Sequence, residues 1–133
     1  MALTHRGVTA AQCAERSGLR FGSLACVADV HGNTAALEAV LASPEFASVD
    51  AVAFLGCTTT GPDPQGVLQR CALIEKPTLF ISGNGERAVL QNADGDQAED
   101  WPTGRWLARR HGPAGLAQIR DWPPTIALSL IHI

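Results

Sequence analysis

The sequence has little of what a nucleic-acid platform or a membrane protein needs. Aromatic residues make up 5% of the 133 residues and are not interleaved with basic ones, and the net charge of −3 comes without a dense basic stripe. No apolar run approaches the roughly 18 residues of a membrane span, and the N-terminal region lacks a continuous apolar signal core. We therefore expect a cytoplasmic protein whose direct partners include neither nucleic acid nor a membrane.

The cysteines number four and include no C-x-x-C pair. This spacing argues against a disulfide framework and against a zinc ribbon, so buried thiols are expected. Cys57 differs from the others because it stands where a loop leaves a predicted strand. The four positions are Cys13, Cys26, Cys57 and Cys71.

The composition favours one globular domain. The chain is 46% apolar and 17% charged, which suits a single core, and its length leaves no room for a second domain. We expect residues 1–18 to form an N-terminal extension with no assigned chemistry and residues 19–133 to form the domain.

Three short apolar runs predict β-strands, at residues 23–28, 51–55 and 78–81. The first run is continuously apolar, which is typical of a strand covered on both faces. Helical patterns separate the runs, so the order is strand, helix, strand, helix, strand. This order predicts an α/β fold with a βαβαβ parallel sheet and right-handed crossovers.

The first helix between strands has both a start signal and an apolar stripe. Asn33 can cap its N-terminus and Pro44 ends it. Leu37, Val40 and Leu41 recur at i, i+3 and i+4, which places them on one face of the helix. We expect that face to be buried against the sheet.

The second helix between strands begins at a similar signal. Asp63 can cap it and Pro64 can take its first position, where proline is favoured. Val67, Leu68 and Cys71 then form the expected buried stripe.

The C-terminal half is predicted to be mainly helical. Helices are expected over residues 84–90, 101–111 and 113–119, and a surface loop over residues 92–100. Trp106 and Leu107 are expected to anchor the longer helix, and Trp101, Trp106 and Trp122 to cover the sheet without a role in a site. His111 is expected at a helix end, where a cation suits the helix dipole, and not among the ligands of a metal.

Each predicted strand is followed by a polar loop. Because the carboxyl ends of parallel strands meet at one rim, these loops are expected to share one site. An aspartate and a histidine two residues apart can bind one ion, with Mn, Fe or Zn suited to the mixed donors. Their alternative role is structural, because polar residues often cap helices. The loops are Asp29-Val30-His31-Gly32-Asn33, Gly56-Cys57 and Gly83-Asn84-Gly85-Glu86.

Two other motifs have weaker support. Residues 83–88 fit the G-x-G-x-x-A dinucleotide fingerprint, but they follow the third strand and not the first. The acidic residues 94–96 are too few for a calcium loop, whose ligands spread over about twelve residues.

The loop sequences resemble those of the calcineurin-like metallophosphoesterases, in particular the small bacterial phosphodiesterase-like branch. The matching stretches are D-x-H at residues 29–31, F-L-G at 54–56, G-P-D-P at 61–64, G-N at 83–84 and E-R-A-V-L at 86–90. The resemblance covers roughly residues 21 to 130. It implies the N-terminal half of an α/β/β/α sandwich and hydrolysis of phosphate mono- or diesters with two divalent metal ions (Mn, Fe or Zn).

The resemblance also assigns roles to individual residues. Asp29 and His31 would hold the first metal and Asn84 the second, and Asn84 would also contact a small phosphate ester substrate. Independently of the resemblance, Arg87 at the start of a predicted helix could approach a phosphate, and its alternative role is a surface salt bridge. The metal-bridging aspartate of the family falls at Cys57, and the histidine that assists the leaving group falls at Gly85. The family's later histidine ligands have no counterpart in this chain.

These departures predict impaired activity. Cys57 offers one thiolate where a bridging carboxylate offers two oxygens, so a mononuclear zinc site of Asp29, His31 and Cys57 is one alternative. Another alternative is a non-catalytic scaffold or interaction domain on the same fold, resembling the retromer subunit that has lost catalytic competence.

The last residues raise a separate expectation. Residues 128–133 read L-S-L-I-H-I, the peptide that a transposase-derived sequencing adapter encodes in one frame, which predicts a truncated chain. The alternative is an ordinary apolar strand beginning at residues 125–128. A truncated fold would leave one sheet face uncovered, and self-association through that face would follow.

Overall fold

The computed structural model describes residues 20–95 and 102–128. The expectations for the N-terminal extension, Trp101 and residues 129–133 lie outside these ranges. The described strands are β1 (Leu24–Val27), β2 (Ala51–Phe54) and β3 (Thr78–Phe80). The described helices are α1 (Thr34–Leu41), α2 (Pro44–Ser48), α3 (Pro64–Ala72), α4 (Asn84–Ala93) and α5 (Pro102–Arg120).

The three strands form a parallel sheet in the order β1-β2-β3. Val27 pairs with Phe54, and Phe54 pairs with Phe80, so the strands end at nearly the same level. The α/β class, the parallel pairing and the positions of the three strands are confirmed. The loops that follow the strands therefore leave from one edge of the sheet.

The helix start signals in the sequence are confirmed. The Asn33 side chain accepts a hydrogen bond of 3.0 Å from the Ala36 amide, and Asp63 accepts one of 2.9 Å from the Gly66 amide. Pro44 does more than was predicted, because it also opens the short helix α2, which Ser43 caps.

The first core lies between the sheet and α1, α2 and α3. All four residues of β2 are buried, and Phe54, Leu37 and Val67 are at most 1% exposed. Burying side chains of this size stabilises the fold by about 1.5–3 kcal/mol each. Val40 is 40% exposed, so its predicted place in the stripe is wrong. It lies about 60° around the helix from Leu37, whereas Leu41 lies about 40° away on the other side.

The second core lies between α3, α4 and α5. It contains Leu68, Val89, Leu107, Ala108, Ile119 and Trp122. The Phe80 ring stacks on Phe54 at 5.1 Å and on Trp122 at 4.6 Å, so it joins the two cores.

The predicted roles of Trp122 and Leu107 are confirmed, and that of Trp106 is wrong. Trp122 covers the sheet and Leu107 is buried. Trp106 is 42% exposed, with the Arg110 guanidinium 5.6 Å from its ring centre. It lies next to Leu107 in the helix, so it faces away from the side that Leu107 buries.

The strand β1 is less covered than its apolar sequence suggested. Ala25 and Val27 pack against the first core, whereas Cys26 points to the other face and is exposed. The prediction of cover on both faces is therefore wrong for β1, whereas β2 is buried along its whole length. Among the described residues, β1 pairs with β2 alone, so a continuously apolar sequence does not ensure burial.

The helix α5 contains a break that the sequence predicted. Gly112 has φ 64° and ψ 173° and is followed by Pro113, so two helical segments meet there. Within the described ranges, no helix is both long enough and apolar enough to cross a membrane.

Candidate metal centre

The three loops after the strands converge, as the sequence predicted. The Asp29 amide donates to the Gly56 carbonyl over 3.2 Å, and the His31 amide donates to the Cys57 carbonyl over 2.9 Å. Asn84 opens α4 directly after the third strand. Residues more than fifty positions apart thus surround one point at the carboxyl edge of the sheet.

The side chains of Asp29, His31 and Cys57 form a group that could hold a metal ion. One ligand atom from each lies within 4.8 Å of the others. His31 Nε2 is 3.4 Å from Asp29 Oδ1, and Cys57 Sγ donates to Asn84 Oδ1 over 3.2 Å. The side chains of His31 and Asp29 are 55% and 68% exposed, whereas Cys57 is 8% exposed. The group is therefore open to solvent on one side and closed at the thiol.

The orientation of the His31 ring is set by a backbone group. His31 Nδ1 lies 3.1 Å from the Thr60 carbonyl oxygen. A carbonyl oxygen only accepts hydrogen bonds, so Nδ1 carries the ring hydrogen and donates it. The lone pair of neutral His31 is then on Nε2, which faces Asp29. Metal-binding histidines in proteins commonly have this arrangement.

The backbone at these three residues is unusual. Asp29, His31 and Cys57 have φ values of 54°, 50° and 48°, in the left-handed region that residues other than glycine seldom adopt. Such conformations cost on the order of 1–3 kcal/mol each and gather at functional sites. The hydrogen bonds between the loops hold this strained backbone in place.

Two glycines allow the loops to approach this closely. A Cβ atom on Gly61 would lie 1.7 Å from the His31 carbonyl oxygen, and one on Gly83 would lie 2.3 Å from the Cys57 nitrogen. Both contacts are with backbone atoms, which cannot swing away. A larger residue at position 61 would push away the loop of His31, and one at position 83 would push away the loop of Cys57.

At Gly85, where the family resemblance expects a histidine that assists the leaving group, the space for a side chain is occupied by Thr60. A Cβ atom on Gly85 would lie 2.5 Å from Thr60 Cγ2 and 2.6 Å from Thr60 Oγ1. Thr60 is 9% exposed and β-branched, so it has little room to move. Gly85 is therefore part of the local packing and does more than mark a missing side chain. Arg87, the other predicted substrate contact, is exposed near the start of α4.

Sequence reasoning missed the role of Glu86. Its carboxylate is completely buried and accepts hydrogen bonds of 2.9 Å from the amides of Cys57, Thr59 and Gly83. A glutamate three residues after the helix N-cap can accept from the N-cap amide, and Glu86 does so from Gly83, which is the half of a capping box that a glycine N-cap allows. That pattern was the available signal, although it does not indicate the bonds to the neighbouring loop.

His111 lies at the predicted helix end, because α5 breaks at Gly112, but the expected cation there is wrong. It is 2% exposed, and its Nδ1 donates to the Leu107 carbonyl over 2.7 Å. Its Nε2 lies 2.9 Å from Thr59 Oγ1. Burial lowers the pKa of His111, and the Leu107 carbonyl and the charge of Glu86 partly oppose that shift. The long-range contact with Thr59 brings the ring inside, which the local sequence does not indicate.

The chain matches no protein-family model and no curated protein.

Proposed function

We propose that this chain is a metal-dependent phosphoesterase-type domain that hydrolyses phosphate mono- or diesters. The proposal depends above all on the group of Asp29, His31 and Cys57, whose ligand atoms lie within 4.8 Å of one another at the carboxyl edge of the sheet. Ligands of α/β proteins bind at this edge. The resemblance of the three loops to the calcineurin-like metallophosphoesterases suggests the reaction class.

The donor set fits one zinc-class ion better than a pair of ions. A thiolate, an imidazole nitrogen and a carboxylate oxygen are all common zinc ligands, and bonds of 2.0–2.3 Å place neighbouring ligands about 3.3–3.8 Å apart. The 3.4 Å between His31 Nε2 and Asp29 Oδ1 already has this spacing. Two ions would need an anion between them, because they repel each other strongly, and Cys57 supplies one sulfur only.

The residues around the ion position have distinct roles in this proposal. Asp29 supplies negative charge, and the Thr60 carbonyl keeps His31 Nε2 directed at the site. Asn84 lies beside Cys57 and is exposed, so its carboxamide can contact a phosphate oxygen. When bound, a divalent ion supplies Lewis-acid polarisation of the phosphoryl group and lowers the pKa of water.

The test is a calorimetric titration of the metal-free chain with Zn²⁺ and Mn²⁺, together with hydrolysis of a generic aryl phosphodiester. We expect zinc uptake at one site per chain and turnover that Asp29→Ala abolishes. Asp121→Ala is the matched control, because Asp121 is an exposed aspartate in the turn after α5. Uptake that is the same in both variants would place the ion elsewhere and contradict the proposal.

The substitution Cys57→Asp tests the ion count. Restoring a carboxylate at this position supplies the bridging oxygens that the family uses, so we expect a second equivalent of Mn²⁺ to bind. In the wild-type chain, Co²⁺ should give a sulfur-to-metal charge-transfer absorption that Cys57→Ser removes. If that absorption is missing while cobalt binds, Cys57 is not a ligand.

One observation favours a second candidate, a non-catalytic scaffold on the same fold. The Cys57 thiol donates to Asn84 Oδ1, so both groups already have a partner without an ion. Gly85 is packed against Thr60 where the resemblance expects a histidine. A wild-type chain that takes up none of the three metals would support the scaffold and exclude the enzyme.

A further inference from the structure

The segment of residues 57–60, which we call the threonine loop, determines the geometry of the candidate metal centre. It carries the Cys57 thiol, and its last residue supplies the carbonyl that orients His31. Its backbone also accepts hydrogen bonds from the amides of His31 and Gly32. A shift of this loop would therefore move two of the three ligand groups together.

Glu86 holds the threonine loop from the side of α4. One carboxylate oxygen accepts from the amides of Cys57 and Gly83, and the other accepts from the Thr59 amide over 2.9 Å and lies 3.1 Å from the Thr59 hydroxyl oxygen. The carboxylate thus binds the threonine loop at both Cys57 and Thr59. This arrangement fixes the position of Cys57 relative to α4.

His111 holds the same loop from the side of α5. Thr59 Oγ1 lies between Glu86 Oε1 at 3.1 Å and His111 Nε2 at 2.9 Å. The Thr59, Glu86 and His111 side chains are 0%, 0% and 2% exposed, so water cannot replace any of these contacts. Because Nδ1 carries the hydrogen of the neutral His111 ring, Nε2 can only accept, so the single hydroxyl hydrogen of Thr59 is donated to His111 and Glu86 holds the loop through the backbone amides.

The His111 ring is itself fixed in place. Nδ1 donates to the Leu107 carbonyl one turn earlier in α5, and the helix breaks at Gly112 immediately afterwards. The ring therefore presents Nε2 to Thr59 from a rigid segment. No residue of α5 belongs to the metal-binding group found among the described residues, so this contact acts on the group only through the loop.

We propose that His111 is a positioning residue for the candidate metal centre, acting through Thr59 and Glu86 on the threonine loop. The expected effect on metal binding rests on the proposed function. The inference extends that function to a residue outside the motifs that carry the family resemblance. Removing a residue that orients metal ligands typically lowers metal affinity by about 10- to 100-fold. We expect that loss when Nε2 is removed.

The test uses two readouts on the full chain. The first is the Zn²⁺ dissociation constant. The second is the rate at which iodoacetamide alkylates Cys57 without metal, measured by peptide mass spectrometry relative to Cys71. Cys71 is buried in α3 and burial raises the pKa of its thiol to about 12, so its alkylation reports general opening of the fold.

The expected result separates positioning from simple loss of stability. His111→Leu should raise the alkylation ratio of Cys57 to Cys71 and weaken zinc binding, whereas His111→Gln should restore both values by presenting its amide oxygen to the Thr59 hydroxyl. Ile119→Val is the matched control, because Ile119 is buried in α5 as part of the second core. This variant should keep the wild-type ratio.

Thr59→Val is a second test of the same contact, because it removes the hydroxyl that bonds His111 at nearly constant volume. If His111→Leu does not fold, Thr59→Val alone tests whether the contact positions the loop. An unchanged ratio in Thr59→Val and in any folded His111→Leu, or an equal rise in Ile119→Val, would overturn the inference. If the wild-type chain takes up none of the three metals, the proposed function fails, while the alkylation ratio still decides whether His111 positions the loop.

Discussion

Thr60 contributes to the candidate centre through two different groups. Its carbonyl accepts from His31 Nδ1, and its side chain fills the space beside Gly85. A residue at position 85 and the orientation of His31 are therefore coupled through one buried threonine. Comparing motifs position by position treats these two features as independent, whereas the packing joins them.

This coupling predicts that Gly85→Ala destabilises the chain by about 1–3 kcal/mol, the usual cost of forcing an extra group into a packed region. Thr60→Ala removes the two closest atoms, so the double variant should lose less free energy of unfolding than the sum of the single variants. Urea denaturation of all four chains measures this difference.

Thr103→Ala is the control for that cycle, because Thr103 is exposed on α5. Its combination with Gly85→Ala should be additive. Additivity in the Thr60 cycle as well would show that Thr60 does not limit the space at position 85.

At the scale of helices and strands, the sequence predicts those features that depend on neighbouring residues. Short local sequence patterns predict the strands, the caps at Asn33 and Asp63 and the break at Gly112. All of these predictions are confirmed. The exposure of Cys26 and Trp106 depends on which elements meet in space. Local periodicity cannot supply that information.

The candidate site divides in the same way. The convergence of the loops follows from parallel strand order, so Asp29, His31 and Cys57 could be brought together from sequence. Glu86 and His111 could not be assigned to the site, because their partners in the threonine loop lie 27 or more positions away and these contacts depend on how α4 and α5 pack.

The contact between α5 and the threonine loop predicts a pH dependence of stability. Burial is the main cause that lowers the pKa of His111 below its ordinary 6.5, so the unfolded chain binds a proton at a higher pH than the folded chain. The stability contributed by neutral His111 is therefore complete above about pH 6.5 and is lost as the pH falls through the lowered pKa.

We expect the free energy of unfolding to fall on acidification below about pH 6.5, with a slope from this group of at most about 1.4 kcal/mol per pH unit. His111→Gln should have a smaller slope than the wild type, and Ile119→Val should have the same slope. Urea titrations in chelator between neutral and mildly acid pH measure it. An unchanged slope in His111→Gln would mean that this histidine does not contribute.

For the whole molecule, the two cores meet at Phe80, which stacks between Phe54 and Trp122. The first core supports the loops that follow β1 and β2, and the second supports α4 and α5. The candidate metal group lies at the carboxyl edge of the sheet, and the backbone of all three of its residues is strained. An ion bound there would connect loops from different strands and would stabilise the folded chain as a whole.

This connection predicts metal-linked stability. A ligand that binds only the folded state stabilises it by about 2.7 kcal/mol at one hundred times its dissociation constant. Zinc at that excess should raise the urea midpoint of the wild-type chain, and chelator should reverse the gain. Asp29→Ala should gain little, whereas Asp121→Ala should gain as much as the wild type. A gain that survives in Asp29→Ala would mean that zinc stabilises the chain from another position, because the carboxylate facing His31 Nε2 would then be dispensable.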